Sequence, residues 1–286
     1  MTLKLRKLSY GLGAEVCDIN VAVPMSESQF GEIHRAFLEH GVLLFRNQNI
    51  TREQHIEFSR RFGELDDHAA FPSDRHPDYP HLMVVTNIPQ ADGTPSVSRY
   101  SGRRWHTDMS QTLVPALGSL LRCWQIPAVG GDTLFANTTL AYDTLSPGMQ
   151  QLVSKLHAVH EAGGRKLDAN HSDQAHAAEQ KRISPPVAHP VARVHPETGR
   201  KAIYLGEKVK RFDGMTEEES RPLIRFLNDH ATKPEFVLRH SWHEHDIVLW
   251  DNRCTLHMAL ADFDQNEPRY LERTTVMGTP SGYVVH

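Results

Sequence analysis

Apolar side chains recur at helical spacing in several places along this chain, and each run opens on a polar cap. Phe30, Ile33 and Phe37 fall on one face of a run that begins after Ser26, which pairs with Gln29 as a capping box, and ends at Gly41. Thr51 and Gln54 repeat the box ahead of Phe58 and Phe62, with Gly63 as the stop. Ser146-Pro147 opens another helix with proline in its first turn, where an N–H would lack a partner anyway. Thr216 with Glu219 opens one more, running to about His230. Elsewhere the pattern shifts to alternation or to short apolar runs. Val42–Phe45, Val191–Val194, Ala202–Leu205, Phe236–Trp242, Ile247–Trp250 and Arg273–Met277 read as strands. The turn His195-Pro196-Glu197-Thr198-Gly199 makes the second and third of these a hairpin. Helices gather early and strands late, which predicts an α+β fold around one antiparallel core. Residues 66–104 and 161–186 fit neither period and read as long loops, either functional lids or disordered surface insertions.

Composition narrows the class. With 39% hydrophobic and 23% charged residues, the chain matches an ordinary folded protein and leaves no room for a disordered or fibrous reading. No repeat or linker divides it, so one domain over residues 1–286 is expected. The net charge of −4 supplies no basic field for nucleic acid or an anionic membrane, and an anionic substrate would need a local basic pocket. Cys17, Cys123 and Cys254 stand far apart with no CxxC pair, which argues against a disulfide framework or a structural zinc site and suits a reducing cytoplasm. No signal peptide is read at the N-terminus, and no apolar stretch approaches the ~20 residues that span a bilayer. Histidine is the outlier: 19 of them point toward metal chemistry.

The chemistry centres on Trp105-His106-Thr107-Asp108, answered late in the chain by Asn252-Arg253-Cys254-Thr255-Leu256-His257. In a strand, i and i+2 share a face, so His106 and Asp108 can present an imidazole and a carboxylate together, and His257 can complete a triangle. That set covers one face of an octahedral iron(II) and leaves positions open for other ligands. Alone, HxD arises easily by chance in a histidine-rich chain. Its context carries more weight. Arg269 and Arg273 follow at i, i+4, an extended step that keeps both guanidinium groups on one side, and guanidinium grips carboxylates bidentately. A 2-oxoglutarate molecule needs such a cation for its far carboxylate, with the hydroxyl of Thr133 as a candidate partner.

Several motifs now occur in order: WHTD, Gly130-Gly131-Asp132-Thr133 with Leu-Phe-Ala-Asn following, Ala141-Tyr142-Asp143, His189-Pro190, His195 to Arg200, Thr232 to Phe236, and Trp250 to His257. Together they resemble the taurine dioxygenase / 2,4-dichlorophenoxyacetate dioxygenase family over nearly the whole chain. The resemblance implies a distorted double-stranded β-helix (jelly-roll) with flanking helices. It implies iron(II) held by His106, Asp108 and His257, with 2-oxoglutarate and O2 as cosubstrates and succinate and CO2 as products. Arg269 and Thr133 match the positions that hold the distal carboxylate. Arg273 matches a position that contacts the substrate's acid group and also the cosubstrate, and His68 matches the sulfonate-binding histidine. Arg103 and Arg104, which belong to neither branch, are further candidates for a small anionic substrate. Tyr204-Leu205-Gly206-Glu207 and Asn252-Arg253-Cys254 lean to the phenoxyacetate branch, Phe71 stands near where the taurine branch has a tyrosine, and the lid segment Gly163–Gln180 has no match. These departures point away from taurine, toward a carboxylate or a bulkier sulfonate that hydroxylation could cleave at C–O or C–S. The family commonly forms homodimers or tetramers. Two other readings use the same residues: a zinc-dependent hydrolase on this triad, and a non-catalytic jelly-roll that binds a small acid.

Overall fold

A computed structural model describes residues 3–69, 72–162 and 184–285. Phe71 and the whole lid segment Gly163–Gln180 lie outside the described residues. The main sheet has seven strands in the order β1 (Lys4–Lys7), β2 (Ala14–Cys17), β3 (Val42–Phe45), β13 (Ile247–Asp251), β5 (Ala116–Gln125), β15 (Tyr270–Met277), β4 (Met83–Thr86). Early and late segments interleave in it: β13 lies between β3 and β5, and β5 pairs on its other edge with β15. A three-stranded sheet runs β12 (Val237–His240), β6 (Thr133–Asn137), β14 (Thr255–Ala259). A four-stranded sheet runs β11 (Val209–Phe212), β7 (His157–His160), β8 (Val187–Pro190), β16 (Tyr283–Val284), and β9 (Ala192–Val194) pairs with β10 (Lys201–Ile203) as the expected hairpin.

The apolar run of β3 is buried on both faces, and its alternation shows why. Leu43 and Phe45 join Leu120, Ile247 and Leu249 in a cluster with the helices α1 (Glu27–His40) and α2 (Arg52–Arg60). Val42 and Leu44 join Leu121, Val248 and Trp250 in a second cluster, which reaches Phe135 and Leu238 of the three-stranded sheet. The jelly-roll core is therefore the space between these two sheets, with helices covering the outer face. Burial of one ring such as Phe37 contributes about 2–3 kcal/mol to this arrangement.

The helix signals hold. Ser26 and Thr51 each form a full capping box, and Gly41 ends α1 in the left-handed region at φ 68°. Past α2, the chain turns for two more residues, Arg61 and Phe62, before Gly63. Two shorter helices follow, α3 (Thr138–Asp143) and α4 (Pro147–Val153), the latter with proline in its first turn. The last is α5 (Glu217–Ala231), capped by Thr216. One strand reading and one loop reading need correction. Pro234–Phe236 is a short 3-10 turn, with β12 starting only at Val237. Residues 66–104, read as loop, contain β4 and a second 3-10 turn at Val97–Tyr100.

Candidate active site

Between β13 and β14 the chain leaves the seven-stranded sheet for the three-stranded one, and the turn at 252–254 makes the crossing. His257 lies just beyond it in β14. His106 meets it in an isolated antiparallel bridge, with N–H to carbonyl bonds of 3.0 and 2.8 Å in the two directions. The HxD motif is thus no regular strand, as alternation suggested. It is one bridged residue entering a turn, with Met109 at φ 54°. The extended step at His106 still brings the side chains together. The two imidazole centroids are 4.0 Å apart, Asp108 Oδ2 is 3.8 Å from His257 Nε2, and one donor atom from each residue lies within 4.8 Å of the others.

Local contacts fix each member. Gly206 is pressed onto the motif so tightly that a Cβ there would stand 3.2 Å from both His106 Cα and Trp105 O, and its φ of 126° favours glycine in any case. Asn252 is the hub: its Oδ1 accepts from the Asp108 N–H, Thr107 Oγ1 and Trp250 Nε1, while its Nδ2 donates to Ser119 Oγ at 3.0 Å. Ser119 in turn donates to Asp108 Oδ2 at 2.8 Å. His106 Nδ1 sits 2.7 Å from Arg104 O, so it carries the proton and leaves Nε2 with a free lone pair. His257 Nδ1 is buried without a partner, and its Nε2 is too far from Asp108 for a hydrogen bond. Burial, then His106, push His257 well below its ordinary pKa, which keeps it neutral. Burial opposes ionisation of Asp108, but Arg273, His257, His106 and the Ser119 hydrogen bond outweigh it and hold the carboxyl below its usual range. Two imidazoles and a carboxylate, with donor atoms converging, fit a divalent cation of the iron, manganese or zinc type.

The other expected residues fall around this cluster. Arg273 donates to Asp108 Oδ1 at 2.5 Å and to Met83 Sδ at 3.1 Å, so its guanidinium is engaged with the carboxylate itself. Arg269 precedes β15 by one residue, and a register shift between Tyr270 and Leu271 interrupts the plain extended step expected between the two arginines. Its Nε donates to Gly131 O at 3.2 Å, and no carboxylate pairs with it among the described residues. Burial lowers its pKa to about 10, so it stays charged at neutral pH. Thr133 lies two residues from Gly131; its Oγ1 accepts from Trp242 Nε1 at 3.0 Å and keeps its own proton to donate. His68, at φ 53° and buried, holds Nδ1 3.0 Å from Asp66 Oδ2 and has no partner at Nε2. Burial raises the Asp66 pKa, but His68 and Arg273 override it, which places this pair within reach of the cluster. Arg103 bonds to Arg99 O and Gln265 Oε1 and stacks over Tyr100. Arg104 contributes its carbonyl to His106.

A family model described as taurine catabolism dioxygenase TauD, TfdA family matches residues 4–275, and the chain belongs to that family. An alpha-ketoglutarate-dependent 2,4-dichlorophenoxyacetate dioxygenase of Cupriavidus pinatubonensis is 33% identical over 92% of this chain and 94% of its own length. An alkylsulfatase of Acinetobacter baylyi is 34% identical over 96% and 85%. The crystal structure of AAD-2 in complex with Mn(II) and N-oxalylglycine superposes with a TM-score of 0.87 at 30% identity, covering 99% of this chain and 100% of that one.

Sequence reasoning missed the roles of Asn252 and Ser119. Asn252 was visible within the Trp250-Asp251-Asn252-Arg253 motif, although its bonds were not. Ser119 carries no local signal.

Proposed function

We propose that this chain is an Fe(II)- and 2-oxoglutarate-dependent dioxygenase that hydroxylates a small organic acid, an aryloxyalkanoate-like carboxylate or an alkyl sulfonate or sulfate. The convergence of His106, Asp108 and His257 at one buried point, in a chain of this family, carries the reading. Relatives named alpha-ketoglutarate-dependent dioxygenases favour it over a zinc-dependent hydrolase or a non-catalytic acid-binding protein.

His106 Nε2, His257 Nε2 and the Asp108 carboxylate would hold the iron. When bound, iron and 2-oxoglutarate supply the oxidising power from O2, with release of succinate and CO2. The protein's part is position. Arg269 and Thr133 grip the distal carboxylate of 2-oxoglutarate, one as a planar cation and one as a hydroxyl donor. Ser119 and Asn252 keep the Asp108 carboxylate aimed, and Arg104 O sets the His106 tautomer. Arg273, His68, Arg103 and Arg104 are the residues the family pattern and the sequence offer for an anionic substrate, and holding its acid group at a set distance selects one C–H bond for attack. An attacked carbon that bears an ether or sulfate-ester oxygen, or a sulfonate sulfur, gives a hydroxylated product whose C–O or C–S bond breaks, leaving a carbonyl and releasing the alcohol or phenol, sulfate or sulfite.

We also place the protein in the cytoplasm as a homo-oligomer of one-domain chains, acting on neither nucleic acid nor membrane. In support, no described helix is long and apolar enough to cross a membrane, and the three cysteines are free. Light scattering measures the assembly.

The test is succinate release from 2-oxoglutarate with iron(II), ascorbate and O2 over a panel of aryloxyacetates, sulfonates and sulfate esters. His106→Ala, Asp108→Ala and His257→Ala should each abolish it and weaken metal binding while leaving the thermal transition in place. Near-normal turnover by Asp108→Ala would overturn the assignment.

A further inference from the structure

Lys208 stands in the turn between β10 and β11, and the chain beside it is fastened to the residues that carry the metal motif. The Glu207 N–H donates to Trp105 O at 2.9 Å, next to the close approach of Gly206 to His106. From this anchorage the Lys208 ammonium donates to Gln111 Oε1, on a buried residue three positions past Asp108. Asp108, His257 and Arg273 all lie within electrostatic reach of it. The side chain keeps partial exposure, yet burial is the largest influence on its pKa and lowers it. Lys208 is thus in contact with solvent at one side and screened from it by the protein at the other.

No carboxylate forms an ion pair with Lys208 among the described residues, and its one hydrogen-bond partner there is a neutral amide. An ammonium has three donors, so two remain to be satisfied. A desolvated cation left with a neutral partner is costly unless an anion completes it. The neighbouring cations are committed elsewhere. Arg273 is on Asp108, Arg103 is on Arg99 O and Gln265, and Arg269 is at the Gly131–Thr133 end.

We propose that Lys208, held by Gln111, is the specificity-determining cation that receives the oxyanion head of the primary substrate. This rests on His106, Asp108 and His257 being the reaction centre. A compact ammonium, unlike the fork of a guanidinium, imposes no planar match, so it accepts a sulfate ester, a sulfonate or a carboxylate. Which of them this enzyme prefers is then set by the room around Lys208.

Binding is measured by calorimetry on protein loaded with Mn(II) and N-oxalylglycine, an unreactive analogue of 2-oxoglutarate. The probes are hexyl sulfate, hexanesulfonate, (2,4-dichlorophenoxy)acetate and neutral hexanol. Lys208→Met should weaken the best-binding anion by about 30-fold or more and leave hexanol unchanged, because truncating one side of a desolvated charged contact is costly. Lys208→Arg should keep binding within about 10-fold. N-oxalylglycine affinity should be constant across the variants. If Lys208→Met loses its thermal transition, Lys208→Gln takes its place with the same expected loss. Undiminished anion binding by a folded neutral variant overturns the proposal, as does a loss that falls on N-oxalylglycine, or a wild-type protein that binds none of the anions. Because binding is read without turnover, a protein that binds anions through Lys208 but never releases succinate counts against the proposed function and for this inference.

Discussion

Arg269 and Arg273 are four residues apart, yet they do different work because their surroundings leave them different partners. Arg273 neutralises Asp108, whereas Arg269 is buried beside Gly131 O with no carboxylate to meet among the described residues. A charged group in that state is ready for a carboxylate from outside. Arg269→Ala should therefore raise the KM for 2-oxoglutarate by about 30-fold or more, the range for truncating one partner of a desolvated charge pair. Arg269→Lys should recover only part, since an ammonium cannot reproduce the two parallel bonds. Calorimetric titration with 2-oxoglutarate checks both, and normal affinity in Arg269→Ala would move the role to Arg273. At this level the sequence disclosed residue types and their order, which is why the triad and the arginine pair were legible. It could not disclose that Arg273 leans on Asp108, or that Lys208 reaches Gln111, because a side chain's partner comes from chain segments 165 and 97 residues away.

Elements explain why the triad is held so firmly. The turn between β13 and β14 passes from one sheet to the other, and Asn252 within it gathers the Asp108 N–H, Thr107, Trp250 and Ser119 into one buried set of bonds. Asn252→Ala removes the acceptor that holds the Asp108 backbone and the donor that orients Ser119. Metal affinity should fall about 10–100-fold, the usual cost of losing an outer partner of a ligand. Asn252→Asp keeps the acceptor and loses the donor, so it should fall between wild type and Asn252→Ala in a Mn(II) titration. Equal affinity in all three would show that the turn holds Asp108 without Asn252. The helices were legible because their caps are local chemistry, and α1 and α2 carry both halves of the box. The central strand β5 was not, for a physical reason. Its interior is buried on both faces, which erases alternation, and Arg122 in its middle is fully buried although its sequence reads as a surface position.

The molecule as a whole places many histidines in its dry interior, and this sets how it answers to acid. His55 faces Arg122 and Glu272 and is pushed down to about 4, first by burial. His189 is pushed to about 4 by burial and by Arg193, with His157 adding to the shift, and His160 beside it, near Lys208 and Arg193, lies well below its ordinary value. In each case the folded state favours the neutral ring, while an unfolded histidine titrates near 6.5. Between pH 6.5 and 4 the unfolded chain therefore binds more protons than the folded one, so this contribution to stability is fully present above 6.5 and declines as pH falls toward 4. Each such ring makes stability fall by up to about 1.4 kcal/mol per pH unit within that window. Urea unfolding at pH 7.5, 6.0 and 5.0 should show the decline, and His55→Leu, which removes one titrating ring from the core behind β5, should flatten it by one ring's share even if its stability at pH 7.5 differs from wild type. An unchanged slope in His55→Leu would mean that His55 is already paired or protonated in the folded state, and the acid response would then have to come from the carboxylates.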